Sequence, residues 1–220
     1  MVTSKFQKAI LTALIVGAAL TASSAFALVA GQVQVGKRWA EFEPGEGQDK
    51  YGAQATEMVA SVHVDPIPLV PVSAGASLAL QTWNAADFNA KTAAGSELGL
   101  EVMAWVPMVP FLTPYAKLRY VVMGKILTEG EVTETNELTG IPVTSKTAAQ
   151  RATSGFHLNL GAKFSVLPLV SVLVELGNGF GEAQLEEYKK AGVKETLSSD
   201  AKKADKMNSR ALLIGVEVGI

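Results

Sequence analysis

Residues 97–106 alternate without a break. Leu98, Leu100, Val102, Ala104 and Val106 are apolar, and Glu97, Gly99, Glu101, Met103 and Trp105 fall between them. A period of two marks a strand with two chemically different faces. The pattern returns along the chain. Leu112, Ala116, Leu118, Tyr120, Val122 and Ile126 stand opposite Thr113, Tyr115, Lys117, Arg119 and Lys125. Phe156, Leu158, Leu160, Ala162, Phe164 and Val166 alternate with His157, Asn159, Gly161, Lys163 and Ser165. Val170, Val172, Val174 and Leu176 are followed by Leu212, Ile214, Val216, Val218 and Ile220, with Glu175 and Glu217 among the intervening residues.

The second face decides between a soluble sheet and a membrane barrel. It carries Glu57, Glu101, Glu175 and Glu217 with Arg38, Lys117, Arg119 and Lys163, spaced by Gly75, Gly99, Gly161, Gly177, Gly215 and Gly219. A barrel of about eight strands has an interior just wide enough for side chains. Small residues there leave room for long charged ones to cross and pair, and buried charges are tolerable only when paired. A soluble barrel would place the apolar set inside; here the apolar set reads as the outer, lipid-facing surface.

Proline and polarity divide the chain into two kinds of connection. Seven of the nine prolines, Pro66, Pro68, Pro71, Pro107, Pro110, Pro114 and Pro168, fall in or beside three short apolar turns. Proline cannot donate to a sheet ladder and belongs at strand ends. Between those turns lie polar stretches at 43–50, 84–96, 128–151 and 178–209. Short turns at one end and longer loops at the other are the rhythm of transmembrane barrels. The resulting strands are expected near 32–42, 51–64, 71–83, 97–106, 111–127, 153–166, 170–180 and 210–220. Each is long enough for a tilted crossing, which takes about 9–11 residues. The last polar stretch is expected either to extend as a hairpin or to coil into a helix.

The first strand is the least regular. Val33, Val35 and Trp39 share the outer parity with Lys37. A charge on the lipid face near mid-membrane costs about 2–4 kcal/mol, so a bulge at Gly36 and Lys37 is expected, or a different strand boundary. Trp39, Phe42, Tyr51 and Trp83 near the loop ends, with Trp105, Phe111, Tyr115 and Phe164 near the turn ends, suggest interfacial girdles. Trp83, Trp105 and Tyr115 have inward parity.

The N-terminus reads as an export signal. Lys5 and Lys8 precede an apolar run at 9–20, and Ala25, Phe26 and Ala27 supply a small-x-small cleavage site. The run is shorter than the roughly 20 residues of a spanning helix. A cleaved leader at 1–27 and a barrel over 28–220 are therefore expected. With no cysteine, a disulfide framework and Cys-based zinc sites are excluded. Losing Lys5 and Lys8 takes the formal charge from −2 to −4, and no basic patch points to nucleic acid.

The alternation over 28–220 resembles the eight-stranded outer-membrane β-barrels of Gram-negative bacteria, the group containing OmpX, the OmpA membrane domain and OmpW. The resemblance rests on pattern rather than on a motif. Residues 210–220 are similar to the C-terminal assembly signal of such barrels, with Ile220 where Phe or Trp is usual. It implies an all-β, antiparallel up-and-down barrel of eight strands in the outer membrane, with both termini periplasmic. The implied partners are outer-membrane lipid and lipopolysaccharide, with the barrel-assembly machinery during biogenesis, around a monomer. No periplasmic peptidoglycan-binding domain is expected.

Catalysis finds little support in the residues. The only histidines are His63 and His157. His157 is followed by Asn159, where the barrel lipid A deacylases carry a His-x-Ser arrangement. Ser61, His63 and Glu57 share a strand face, but alternate residues lie roughly 7 Å apart and do not make a triad by themselves. Two histidines also make no convincing metal site, and no cofactor is expected. The candidate residues are an inward charge network of Arg38, Glu57, Glu101, Lys117, Arg119, Lys163, Glu175 and Glu217, with Glu217 expected to close against Arg38. The expected role is structural or surface-interacting, with a narrow channel for small or apolar solutes as the alternative and a lipid-modifying enzyme third.

Overall fold

The computed structural model describes residues 29–44, 49–65, 70–106, 111–135, 141–167, 169–198 and 203–219. The expected leader at 1–27, the expected mature start at Leu28, Ile220 and the turn residues Pro66, Pro68, Pro107, Pro110 and Pro168 lie outside them.

The strands in chain order are β1 (Val29–Glu43), β2 (Tyr51–Val64), β3 (Val72–Trp83), β4 (Thr92–Trp105), β5 (Leu112–Thr135), β6 (Pro142–Leu167), β7 (Val170–Lys190), the two-residue β8 (Val193–Lys194) and β9 (Ala204–Gly219). Each of β1 to β7 pairs antiparallel with the next, and β9 joins β7 to β1. The result is a closed ring of eight strands; β8 stands outside it, against the end of β7. Closure leaves no unpaired edge around the ring, which a bilayer requires. Val29 and Gly219 lie at the end of the ring where the short turns are, and residues 84–91 and 191–198 lie at the other.

The apolar set faces out. Leu100, Leu160 and Leu176 are 59, 61 and 62 % exposed, whereas Arg38, Lys117 and Glu175 are 2, 1 and 0 % exposed. A continuous apolar belt around a charged interior is the inverse of a soluble fold and is what lipid selects. The molecule is an antiparallel, up-and-down transmembrane β-barrel.

Three features depart from the sequence reading. First, β5, β6 and β7 span 24, 26 and 21 residues, far more than the roughly 9–11 needed to cross. Pairing to β4 ends at Glu129 and pairing to β9 ends at Gln184, so the remainder projects as a three-stranded blade. Much of 128–151 and of 178–190 is therefore strand rather than loop. Water reaches both faces of the blade, so neither face needs to be apolar and the period-two signal is weak. Cross-strand pairs hold it instead: the Thr133 and Thr144 hydroxyls are 2.8 Å apart, and Lys190 Nζ lies 2.5 Å from Glu134. Of the two expectations for the last polar stretch, the hairpin forms. Ala191 (φ 51°) and Gly192 (φ 82°) turn β7 into β8, the two positive φ values that a tight I′ turn takes.

Second, β5 changes phase. Val121 and Gly124 both face in, while Val122 and Met123 both face out at 51 and 60 % exposure. The register against β4 and β6 shifts at this bulge. Beyond it, Ile126 is buried and Lys125 is exposed, the reverse of simple alternation. Gly155, opposite Val121, adopts φ 147°, and a Cβ there would run into the Phe180 carbonyl and Gly181 Cα. Glycine is what allows the chains to approach at this corner.

Third, β1 has no bulge. Its register runs unbroken against β2 and β9, and Lys37 does face out. Its ammonium donates to Thr56 Oγ1 on β2 at 2.9 Å. On each neighbour the apolar belt stops beside it, at Met58 before Thr56 and at Leu212 after Arg210. Lys37 therefore sits at the rim of the belt rather than at its centre, where a charge costs far more.

Candidate functional site: the barrel interior

The interior is layered. At the loop end lies an apolar cap of Phe42, Trp83, Ile126 and Met207, closed by Tyr51 and Phe88. Phe42 stacks on Tyr51 with centroids 4.9 Å apart, and Phe88 meets the Phe42 and Trp83 rings edge-on at 5.9 Å each. Phe88 comes from a 3₁₀ turn, Ala85–Phe88, that folds over the mouth. Asp87 anchors the turn: its carboxylate accepts from the Gln54 backbone N–H at 2.9 Å and from Asn84 Nδ2 at 2.8 Å. Phe42 and Tyr51 thus line the interior and not an outer girdle. Their rings gain more from one another than from the interface, because aromatic pairs are directional as well as apolar.

Beneath the cap is a four-membered charge cluster. Arg38 on β1 holds Glu57 through Nη2 at 2.6 Å and Nε at 3.0 Å, and reaches Glu97 through Nη1 at 3.0 Å. Arg119 on β5 donates to Glu97 at 2.9 Å and lies 3.5 Å from Glu57. His157 Nε2 stands 3.6 Å from Glu97. The two guanidiniums and two carboxylates alternate across the lumen, so no charge is stranded. Glu97 completes the cluster and is absent from the sequence candidates, although its inward parity is legible there.

A second cluster lies toward the turn end. Glu175 on β7 accepts from Tyr115 Oη at 2.9 Å and Gln34 Nε2 at 3.0 Å, and pairs with Lys117 at 2.9 Å. Asn159 Nδ2 donates to its other oxygen. Lys117 also donates to Gln34 Oε1 at 3.2 Å. Each oxygen of this carboxylate is thereby occupied, which is what makes a fully buried charge tolerable.

At the turn end, Lys163 pairs with Glu217 at 2.7 Å and lies over the Trp105 ring at 5.5 Å. Gln32 Nε2 donates to the same carboxylate at 2.5 Å. Glu217 therefore closes against Lys163 on β6 and not against Arg38, which is nearer the loops. β9 pairs Glu217 with Gln32, well below Arg38 on β1. Glu101 pairs with His63 Nε2 at 2.9 Å. A carboxylate only accepts, so Nε2 carries the proton of this bond. All eight sequence candidates line the interior, in separate groups along its height.

The residues weighed for catalysis are not brought together. Glu57 is held by Arg38, Ser61 Oγ faces Gln32 Oε1 at 3.4 Å and His63 faces Glu101. Among the described residues no group of three or more His, Cys, Asp or Glu is placed to hold a metal ion.

No protein-family profile matches the chain, and no curated protein matches it by comparison. Solved structures do. Neisserial surface protein A (NspA) is 14 % identical, with a TM-score of 0.51, over 86 % of this chain and 97 % of its own. A major outer membrane protein from Thermus thermophilus is 13 % identical, with a TM-score of 0.49, over 89 % of this chain and 100 % of its own. Ail of Yersinia pestis is 8 % identical, with a TM-score of 0.38, over 86 % of this chain and 97 % of its own. At these identities the likeness speaks to fold, and the NspA match agrees with the ring and the inside-out polarity described above. The chain has the fold of the eight-stranded outer-membrane β-barrels.

Proposed function

We propose that this protein is a closed outer-membrane barrel with a structural or surface-interaction role, presenting its β5–β7 blade on the cell exterior. One observation carries the reading: the Arg38–Glu57–Glu97–Arg119 cluster spans the lumen directly beneath the aromatic cap. An ion crossing it would have to break a buried network in which each carboxylate is neutralised by both guanidiniums. In this reading the termini are periplasmic, the chain is a monomer, and no chemistry is performed on a substrate. The exterior partner is whatever the blade contacts.

A second reading, a narrow channel for small solutes, is favoured by one wall of the interior. Ser73 and Ser77 Oγ and Gln81 Nε2 on β3, His63 Nδ1, Glu101 Oε1 and Arg119 Nε are buried polar atoms with no protein hydrogen-bond partner. Buried polar groups of this kind are commonly met by water, and a continuous wet wall is a path.

Single-channel recording in planar bilayers separates the two. A closed barrel gives no conductance steps. Regular steps from the wild type would replace the structural reading with the channel.

A further inference from the structure

The outer surface carries two populations of cations. Those near the loops are neutralised: Lys50, Lys91, Lys189, Lys190 and Lys194 lie 2.5 to 3.2 Å from a glutamate. Lys206 and Lys146 face Glu43, Glu182 and Glu131 across the sheet. Those at the loop-side rim of the apolar belt are not. Lys37 is flanked by Thr56 and Leu212, and Arg210 by Trp39 and Asn178. Among the described residues neither has a carboxylate within ion-pair distance.

The register makes these two a pair. Lys37 opposes Leu212 and Trp39 opposes Arg210, so Lys37 and Arg210 are diagonal neighbours on one face of β1 and β9. Diagonal positions are about 7–8 Å apart, within reach of two long side chains converging on one anion. Lys37 gives Thr56 one hydrogen bond and keeps two donors. Below the pair the surface is Val35, Leu176, Leu212 and Ile214, a wall for acyl chains. Beside it stands Trp39, 42 % exposed, an amphipathic ring suited to the interface.

We infer that Lys37 and Arg210 form a binding site for the phosphate of an anionic lipid headgroup in the leaflet on the loop side. The assignment rests on the membrane placement proposed above. Two adjacent cations facing lipid repel one another, and among the described residues neither is in ion-pair contact with a carboxylate; Glu41, the other diagonal neighbour of Arg210, lies 3.6 Å from Lys50 instead. A phosphate supplies the counterion, and its oxygens match the guanidinium fork. The acyl wall beneath favours a lipid over a free anion, because the same ligand then fills both halves of the patch.

The test uses the full barrel refolded in detergent, with Lys37→Gln/Arg210→Gln as the variant and Lys125→Gln as control. Lys125 is a solitary rim cation on β5, beside Ser96 and Ala152. Heat-modifiable migration on SDS gels first establishes that each protein is folded; a failure there by the wild type would count against the membrane barrel, not against the site. Native mass spectrometry then measures retention of lipid A, of dephosphorylated lipid A and of inorganic phosphate. The expected result is at least about tenfold weaker lipid A retention by the double variant, the loss of one or more charge-assisted contacts, with Lys125→Gln unchanged. Dephosphorylated lipid A is expected to bind wild type and variant alike. Equal lipid A retention by wild type and double variant overturns the site. So does displacement of lipid A by equimolar inorganic phosphate, which would make it a free-anion site. If the double variant does not fold, Lys37→Gln and Arg210→Gln singly carry the same measurement.

Discussion

Arg38 and Glu57 meet across β1 and β2 through two parallel hydrogen bonds, Nη2 to Oε1 at 2.6 Å and Nε to Oε2 at 3.0 Å. Their strands set them diagonally, with Arg38 opposite Ala55 and Glu57 opposite Gly36. The guanidinium therefore lies along the strand pair, and its remaining nitrogen is free to reach Glu97. That geometry makes Arg38 the hub of the interior.

Removing the hub leaves Glu57 and Glu97 to share Arg119 as their one guanidinium in a buried site. Arg38→Ala is expected to lower unfolding stability by about 3–5 kcal/mol, the typical cost of breaking a desolvated pair. Lys50→Ala removes an exposed pair with Glu43 and is expected to leave the denaturation midpoint unchanged. Urea titration in lipid vesicles, read by tryptophan fluorescence, compares them. Equal midpoints would mean that the lumen is wet and the pair screened.

Gly155 combines a positive φ with close backbone contact. Alanine there meets both a φ of 147° and the Phe180 carbonyl. Gly155→Ala is expected to cost about 1–3 kcal/mol and to slow refolding, measured as the heat-modifiable fraction against time. Gly192→Ala also adds a side chain at positive φ, but meets open space and is expected to be milder.

The β7–β8 hairpin holds an alanine where the turn favours glycine or asparagine. Ala191→Gly relieves about 1 kcal/mol of left-handed strain. Slower amide exchange at Tyr188 to Lys194 is the expected signature, since the Glu195 N–H bonds the Tyr188 carbonyl across that turn. Unchanged exchange would show that the hairpin is held by its ion pairs instead.

The orientation proposed for the barrel has a direct test. Trypsin added to intact cells is expected to cut in the segment 189–206, whose described residues 189–198 and 203–206 lie at the loop end. Protection there, with cleavage of that segment only after the envelope is opened to periplasmic access by osmotic shock, would reverse the topology.

The amino-acid sequence by itself determined the fold class. Period-two alternation, with charges and glycines on one parity, is a local property, and each strand declares it independently. β2 matched its expected bounds of 51–64 because its alternation runs unbroken between the polar stretch at 43–50 and the proline-rich turn at 65–71. Inward parity likewise named eight of the interior charges one by one; Glu97 shares that parity but stands outside the set. Tertiary structure decided everything that depends on which strand lies beside which, and at what height. The phase of β5 beyond Val122 follows from a bulge accommodated by Gly155 on the next strand. The partner of Glu217 is Lys163 because shear around a closed ring carries Arg38 to another level. The length of β5 to β7 follows from mutual pairing, which a mostly polar surface with scattered residues such as Val132 and Val143 does not advertise. The aromatic cap exists because a 3₁₀ turn returns Phe88 to the mouth, a long-range contact that no periodicity encodes.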